Sequence, residues 1–109
     1  MKGKPVIPRL QANEDIDTAI AYYSDQASEQ VALGFIDALE RAYSHLSRHA
    51  ATGSSKYAHE LDLPGLQSWP LTRYPYLIFY VDCPSHIDVW RVLHQQRNIP
   101  AWMHGPEGL

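Results

Sequence analysis

Apolar residues recur at three- and four-residue steps through the first half of this chain, and at two-residue steps or in short runs through the second. Ala12, Ile16, Ala19, Ile20 and Tyr23 make one helical stripe. Val31, Phe35, Ala38, Leu39, Ala42 and Leu46 make a longer and cleaner one. Asn13 is expected to cap the first helix, with Glu14, Asp15 and Asp17 at the positive end of its dipole. The polar run Ser24–Ser28 interrupts the pattern, and Ser28 is placed to cap the second helix. So short a connection predicts an antiparallel helical hairpin. Ahead of it, Lys4–Leu10 reads as a short strand that Pro5 and Pro8 confine to an edge, because neither offers an N–H.

Past a loop at Ala50–Ser55 the period changes. Tyr57–Leu63 alternates, with Tyr57, His59, Leu61 and Leu63 against Glu60 and Asp62, and is expected to be a strand. Pro64-Gly65 marks a turn. Ser68–Arg73 reads as a strand interrupted by Pro70. Tyr76–Val81 is almost wholly apolar and predicts a central strand buried on both faces. After a turn at Asp82–Ser85, Ile87, Val89, Arg91 and Leu93 alternate with Asp88, Trp90, Val92 and His94. Asn98–Met103 predicts a closing helical turn and 105–109 a loose tail. The fold class expected is therefore α+β and two-layered: an N-terminal strand and a helical hairpin packed on a mainly antiparallel sheet.

Composition narrows the reading. A chain of 109 residues with 45% hydrophobic and 19% charged positions fits one globular domain over 1–109. The longest apolar run, Leu77–Val81, is too short to span a membrane, and residues 1–10 lack a secretory h-region. One cysteine, Cys83, excludes an internal disulfide and suits a reducing cytoplasm. Net charge is −3, but residues 11–40 contain no Lys or Arg, whereas 41–103 carry six basic residues against four acidic ones. An acidic total argues against sequence-independent nucleic-acid binding. No Gly-rich phosphate loop or GxSxG is present.

Several segments, in order, resemble the ParE branch of the ParE/RelE toxin superfamily. They are Ala12–Ile16 with Tyr22-Tyr23, Ala32–Phe35, Leu63–Leu66, Tyr74–Tyr80, Arg91–His94 and Arg97–Pro100. Where the family commonly has Arg and Asp, this chain has Gln67 and Asn98, which removes charge. The resemblance implies the toxin of a type II toxin–antitoxin pair, with roles in growth inhibition and plasmid stabilization. It implies inhibition of DNA gyrase by binding rather than catalysis, and neutralisation by a small DNA-binding antitoxin whose disordered C-terminal segment wraps the toxin, lying along the helical hairpin and adding to a sheet edge. The alternative is a RelE-like, ribosome-dependent mRNA endoribonuclease; a third reading is an inactive antitoxin-binding relative. An mRNA nuclease needs a base, an acid and a cation at the transition state. Arg73, Arg91 and Arg97 could supply charge and His94 or Tyr76 could move protons, but the position before the central strand, where RelE-like proteins carry an active arginine, reads Tyr-Pro-Tyr-Leu77. That favours the gyrase-directed reading, without cofactor and without direct nucleic-acid or membrane contact.

The target-binding residues expected are Arg73, Arg91, His94, Arg97 and Trp102. Each has a structural alternative: Arg91 an ion pair with Glu60 or Asp62, His94 a backbone hydrogen bond, Trp102 a core position like Trp69 and Trp90. Arg97, expected to be exposed, suits a protein hot spot best. His45 and His49 stand at a ligand-compatible spacing but lack a third ligand nearby, so no metal is expected. Cys83 is read as a spare thiol.

Overall fold

The strand at the N-terminus runs almost directly into the first helix, so its residues set the start of both. In the computed structural model, which describes residues 3–96, Ile99 and Met103, β1 covers Val6–Pro8 and α1 covers Leu10–Gln26. Arg9 is the N-cap, contributing no side-chain cap bond. Its N–H donates instead to Val89 O at 2.9 Å, and its guanidinium lies on Asp88 and over Trp90. Asn13 is thus already helical, its N–H bonded to Arg9 O, and is not the expected cap. Helix α1 also continues through Ser24, leaving only Ala27 and Ser28 before α2 (Glu29–His49). Ser28 does cap α2, accepting from Val31 N–H at 3.1 Å, a bond worth about 1 kcal/mol.

Both predicted stripes face inward. Ala12, Ala19, Phe35, Leu39, Ala42 and Leu46 pack on Ile78, Tyr80, Ile87, Val89 and Val92 of the sheet. Phe35 is fully buried, and truncating it to Ala is expected to cost about 3–5 kcal/mol.

A 3-10 turn (Ala50–Thr52) leads to the largest departure from the predicted elements. Residues Lys56–Leu61 form a helix, α3, rather than a strand. Tyr57, Ala58 and Leu61 also stand at helical steps, and they pack on the far face of the sheet. Over so few residues the two periods coincide; the Ser54 hydroxyl accepting from Lys56 N–H (3.2 Å) and Asp62 in the left-handed region (φ 54°) close the element at both ends.

The remaining strands are β2 (Leu66–Pro70), β3 (Tyr76–Asp82) and β4 (Ile87–His94). Among the described residues the sheet order is β1-β4-β3-β2, with β1 parallel to β4 and the other pairs antiparallel. Pro70 ends β2 instead of interrupting it, so Arg73 lies in the following turn. Strand β3 is buried on both faces, as its apolar run predicts. Tyr76, Ile78 and Tyr80 face the hairpin, while Leu77, Phe79 and Val81 face α3. Ile99 and Met103 are both helical and join that second cluster; the rest of the expected closing turn and the tail lie outside the described residues.

Strand β4 does not keep a single alternation. The register with β3 shifts so that Phe79 opposes Arg91 and Tyr80 opposes Val89, a bulge centred on Trp90. Ile87, Val89 and Val92 consequently all reach the hairpin core, whereas Leu93 turns to the other face. The sequence-based pairing of Leu93 with Ile87 and Val89 is corrected by that extra residue.

Candidate functional site

Three segments meet at the end of the sheet where β3 begins and β4 ends. Gln95 N–H donates to Pro75 O at 2.8 Å, joining the end of β4 to the turn between β2 and β3. That turn is itself held on α2, because the Tyr74 hydroxyl donates to Val31 O at 2.9 Å. The Tyr74 ring lies edge-on to Tyr23 and Phe35, with centroids 5.3 and 5.6 Å away. Gly34 permits this approach: a Cβ there would collide with the Tyr74 hydroxyl. Arg73, exposed at the tip, has φ 71°, an uncommon conformation for a residue other than glycine.

His94 stands at the end of β4 with its ring edge-on to Tyr76, 5.1 Å between centroids. Its Nδ1 is 3.1 Å from Gln96 N–H and accepts from it, so the neutral imidazole carries its proton on Nε2. Thr18 and Tyr22 of α1 face His94 and Tyr76 across a cleft of ≈ 260 Å³. A smaller hollow of ≈ 100 Å³ adjoins it, floored by Ala19, Val92 and Leu93 with Asp15 at its side. The cleft therefore offers aromatic faces, the hydroxyl-bearing Thr18, Tyr22 and Tyr76 and one imidazole, a surface suited to a partner's planar or apolar side chain.

Arg91 does not present its charge to that cleft. Its Nε and one terminal nitrogen donate to the two oxygens of Asp15, each at 2.8 Å, with both side chains only about a tenth exposed. Asp15 accepts a third hydrogen bond from Val92 N–H at 3.0 Å. β1 has already ended opposite Val89, so this carboxylate satisfies a strand donor that no neighbouring strand reaches. The partner is Asp15 on α1, not Glu60 or Asp62. Beyond the turn, α2 and residues 72–74 enclose a second cleft of ≈ 320 Å³ lined by Asp37, Arg41 and Arg73. Arg41 pairs with Asp37 at 3.0 Å, an exposed bridge of small energetic value.

A model of the ParE toxin of the type II toxin–antitoxin system parDE matches residues 6–99. The chain belongs to the ParE toxin family. It is thereby a type II toxin by family, with the α+β fold expected of one. Among solved structures it is similar to a chain of the chromosomal ParDE toxin–antitoxin system from P. aeruginosa, with TM-score 0.70 and 17% identity. That similarity covers 84% of this chain and 95% of the other, and at such identity it speaks for the fold alone. No curated protein matches. No helix among the described residues is long and apolar enough to cross a membrane.

Within this ParE-family fold the sequence-predicted residues separate. Arg73 and His94 come to the same end of the sheet, Arg91 is turned inward, and Arg97 and Trp102 lie outside the described residues, as does Asn98. Gln67 sits on β2 opposite Tyr80, its side-chain oxygen buried with no hydrogen-bond partner. Sequence reasoning missed Thr18 and Tyr22 as cleft walls and Asp15 as the anchor of Arg91. Asp15 was visible as one residue before Ile16 of the buried stripe, which places its carboxylate beside the core. His45 stacks on Trp69 (4.2 Å) and its Nε2 is 2.8 Å from the Thr52 hydroxyl oxygen, which gives that ring a packing role.

Proposed function

We propose that this toxin acts by binding DNA gyrase, and that a cognate antitoxin neutralises it. The observation that carries this over RNA cleavage is the fate of Arg91. Arg91, one of the two arginines that flank His94 at three residues' distance, is bound by Asp15 inside the protein, where it would not meet a phosphate charge developing at His94. The cleft of Thr18, Tyr22, Tyr76 and His94, with Arg73 on the adjoining turn, supports recognition of a protein surface instead. Arg91 then serves as a positioning residue, and Arg97 and Trp102 extend the contact surface. Action on gyrase places the protein in the cytoplasm.

The antitoxin segment is proposed to lie along the hairpin. Tyr22 and Leu33 are more than half exposed there, and residues 11–40 carry acidic charge without any Lys or Arg. Both features suit an apolar and basic segment that folds on binding. Edge addition is less favoured: Ser54 already pairs with Ser68 on the outer side of β2, and Pro5 and Pro8 blunt β1.

A supercoiling assay with purified toxin, alone and with antitoxin, tests the reading. Inhibition or trapped DNA cleavage that the antitoxin relieves is expected, and His94→Gln should weaken it without altering the fold. Codon-positioned mRNA cuts on ribosomes with gyrase unaffected would overturn it in favour of the nuclease.

A further inference from the structure

At the opposite end of the sheet, the turn between β3 and β4 gathers a thiol, an imidazole and a carboxylate. The ligand atoms of Cys83, His86 and Asp88 all lie within 4.8 Å of one another, and all three residues are half-buried. The turn is closed by Cys83 N–H donating to His86 O at 2.9 Å, which fixes the first two on one side. Asp88 follows on β4, clamped by Arg9 (2.9 and 3.2 Å) and by the Trp90 indole N–H (3.0 Å). Two of those bonds go to Oδ2 and one to Oδ1, so Oδ1 keeps a lone pair for an ion. The Ser85 hydroxyl oxygen is 3.1 Å from His86 Nδ1. When it accepts from Nδ1–H, Nε2 is left unprotonated, the state a metal requires.

We propose that Cys83, His86 and Asp88 form a zinc site, with a fourth position open to water or an external donor. A sulfur, a nitrogen and an oxygen from separate side chains match the donor set and tetrahedral habit of zinc rather than the all-oxygen shells of calcium or magnesium. Thiolate and carboxylate together neutralise the dication. Lys4 and Arg9 stand nearby, with Lys4 paired to Asp82 and the Cys83 carbonyl and Arg9 to the Asp88 carboxylate, which offsets part of their charge. Ser85, Arg9 and Trp90 are the outer partners that orient the ligands. All three ligands belong to one hairpin, so the ion clips the turn and steadies β4 at the end remote from His94. The inference does not depend on the gyrase reading.

The test is a titration of untagged, chelator-treated full-length protein with cobalt(II), followed by displacement with zinc(II). One equivalent should produce thiolate-to-metal charge-transfer and tetrahedral d–d absorption, and zinc should remove it. Zinc should also raise Tm, reversed by chelator. Cys83→Ser and His86→Gln should abolish these changes while keeping the parent's far-ultraviolet circular dichroism. Ser85→Ala, on an exposed outer partner, should weaken affinity by about 10–100-fold. His45→Gln/His49→Gln should leave binding unchanged. Absence of the bands with excess cobalt overturns the proposal, as does zinc stabilisation that persists in Cys83→Ser.

Discussion

Replacing Arg91 by Met would leave the Asp15 carboxylate without its cation in a site about a tenth exposed. Removing one member of such a pair costs about 3–5 kcal/mol, because the remaining charge keeps its desolvation penalty without the compensating attraction. For a domain near this size, each kcal/mol is roughly 4–8 °C of Tm, so a fall of about 12–40 °C is expected. Asp15→Asn in the same background removes the stranded charge and retains an oxygen for Val92 N–H. The double variant Asp15→Asn/Arg91→Met should therefore recover about 1–3 kcal/mol relative to Arg91→Met, a non-additivity that contacting charges produce. Urea unfolding followed by circular dichroism measures all four proteins on one scale. If Arg91→Met unfolds within about 1 kcal/mol of the parent, or the two single changes simply add, the pair is not the anchor described.

Other consequences can be checked with the same preparations. Gly34→Ala gains roughly 1 kcal/mol of helix propensity, but it drives a Cβ into the Tyr74 hydroxyl, whose ring is wedged by Tyr23 and Phe35; a net loss of about 1–2 kcal/mol is expected by urea unfolding. Burial pushes the Tyr43 and Tyr80 phenols up to about 12 from an ordinary 10.0, so their contribution is intact below pH 10 and is lost as pH climbs toward 12. Tyr43→Phe should blunt that alkaline loss and, because its hydroxyl is buried without a partner, leave neutral-pH stability unchanged or raised by up to about 1–3 kcal/mol in thermal melts. Asp88 behaves in the opposite sense. Burial raises its pKa, but hydrogen bonds from Arg9 and Trp90, with the charges of Arg9 and His86, outweigh that and hold it below the usual carboxylate value. Its stabilisation is present above that value and fades as pH falls through the lowered one; Asp88→Asn should flatten the acid limb of a Tm–pH profile.

The hairpin was legible because twenty-odd residues give a helical period time to separate from any other. Phe35, Leu39 and Leu46 are buried as their spacing predicts. Tyr57–Leu61 was not legible for the converse reason: five or six residues fit both periods, and what decides is a serine oxygen and a left-handed Asp62, neither of which alters the hydrophobic pattern. The change of phase in β4 depends on one extra residue at Trp90, and a bulge has no fixed spelling in sequence. Of the candidate site, Arg73 and His94 could be found from the order of segments. Thr18 and Tyr22 could not, since they reach the site from α1 across the fold, and Asp15 shows in the sequence only as a neighbour of the buried stripe, not as the partner of Arg91.

The sheet order β1-β4-β3-β2 places the last strand of the described chain in its interior, paired on both sides. During synthesis, β1 has no pairing strand and Asp15 lacks Arg91 until residues more than seventy positions later have left the ribosome. A nascent chain or a product truncated before Ile87 lacks the strand that carries Arg91 and His94, and with it the hydrogen bonds from Arg91 and Val92 that hold Asp15 of α1. The sheet is therefore completed only by near-complete chains, late in translation, and no shorter product can adopt this fold.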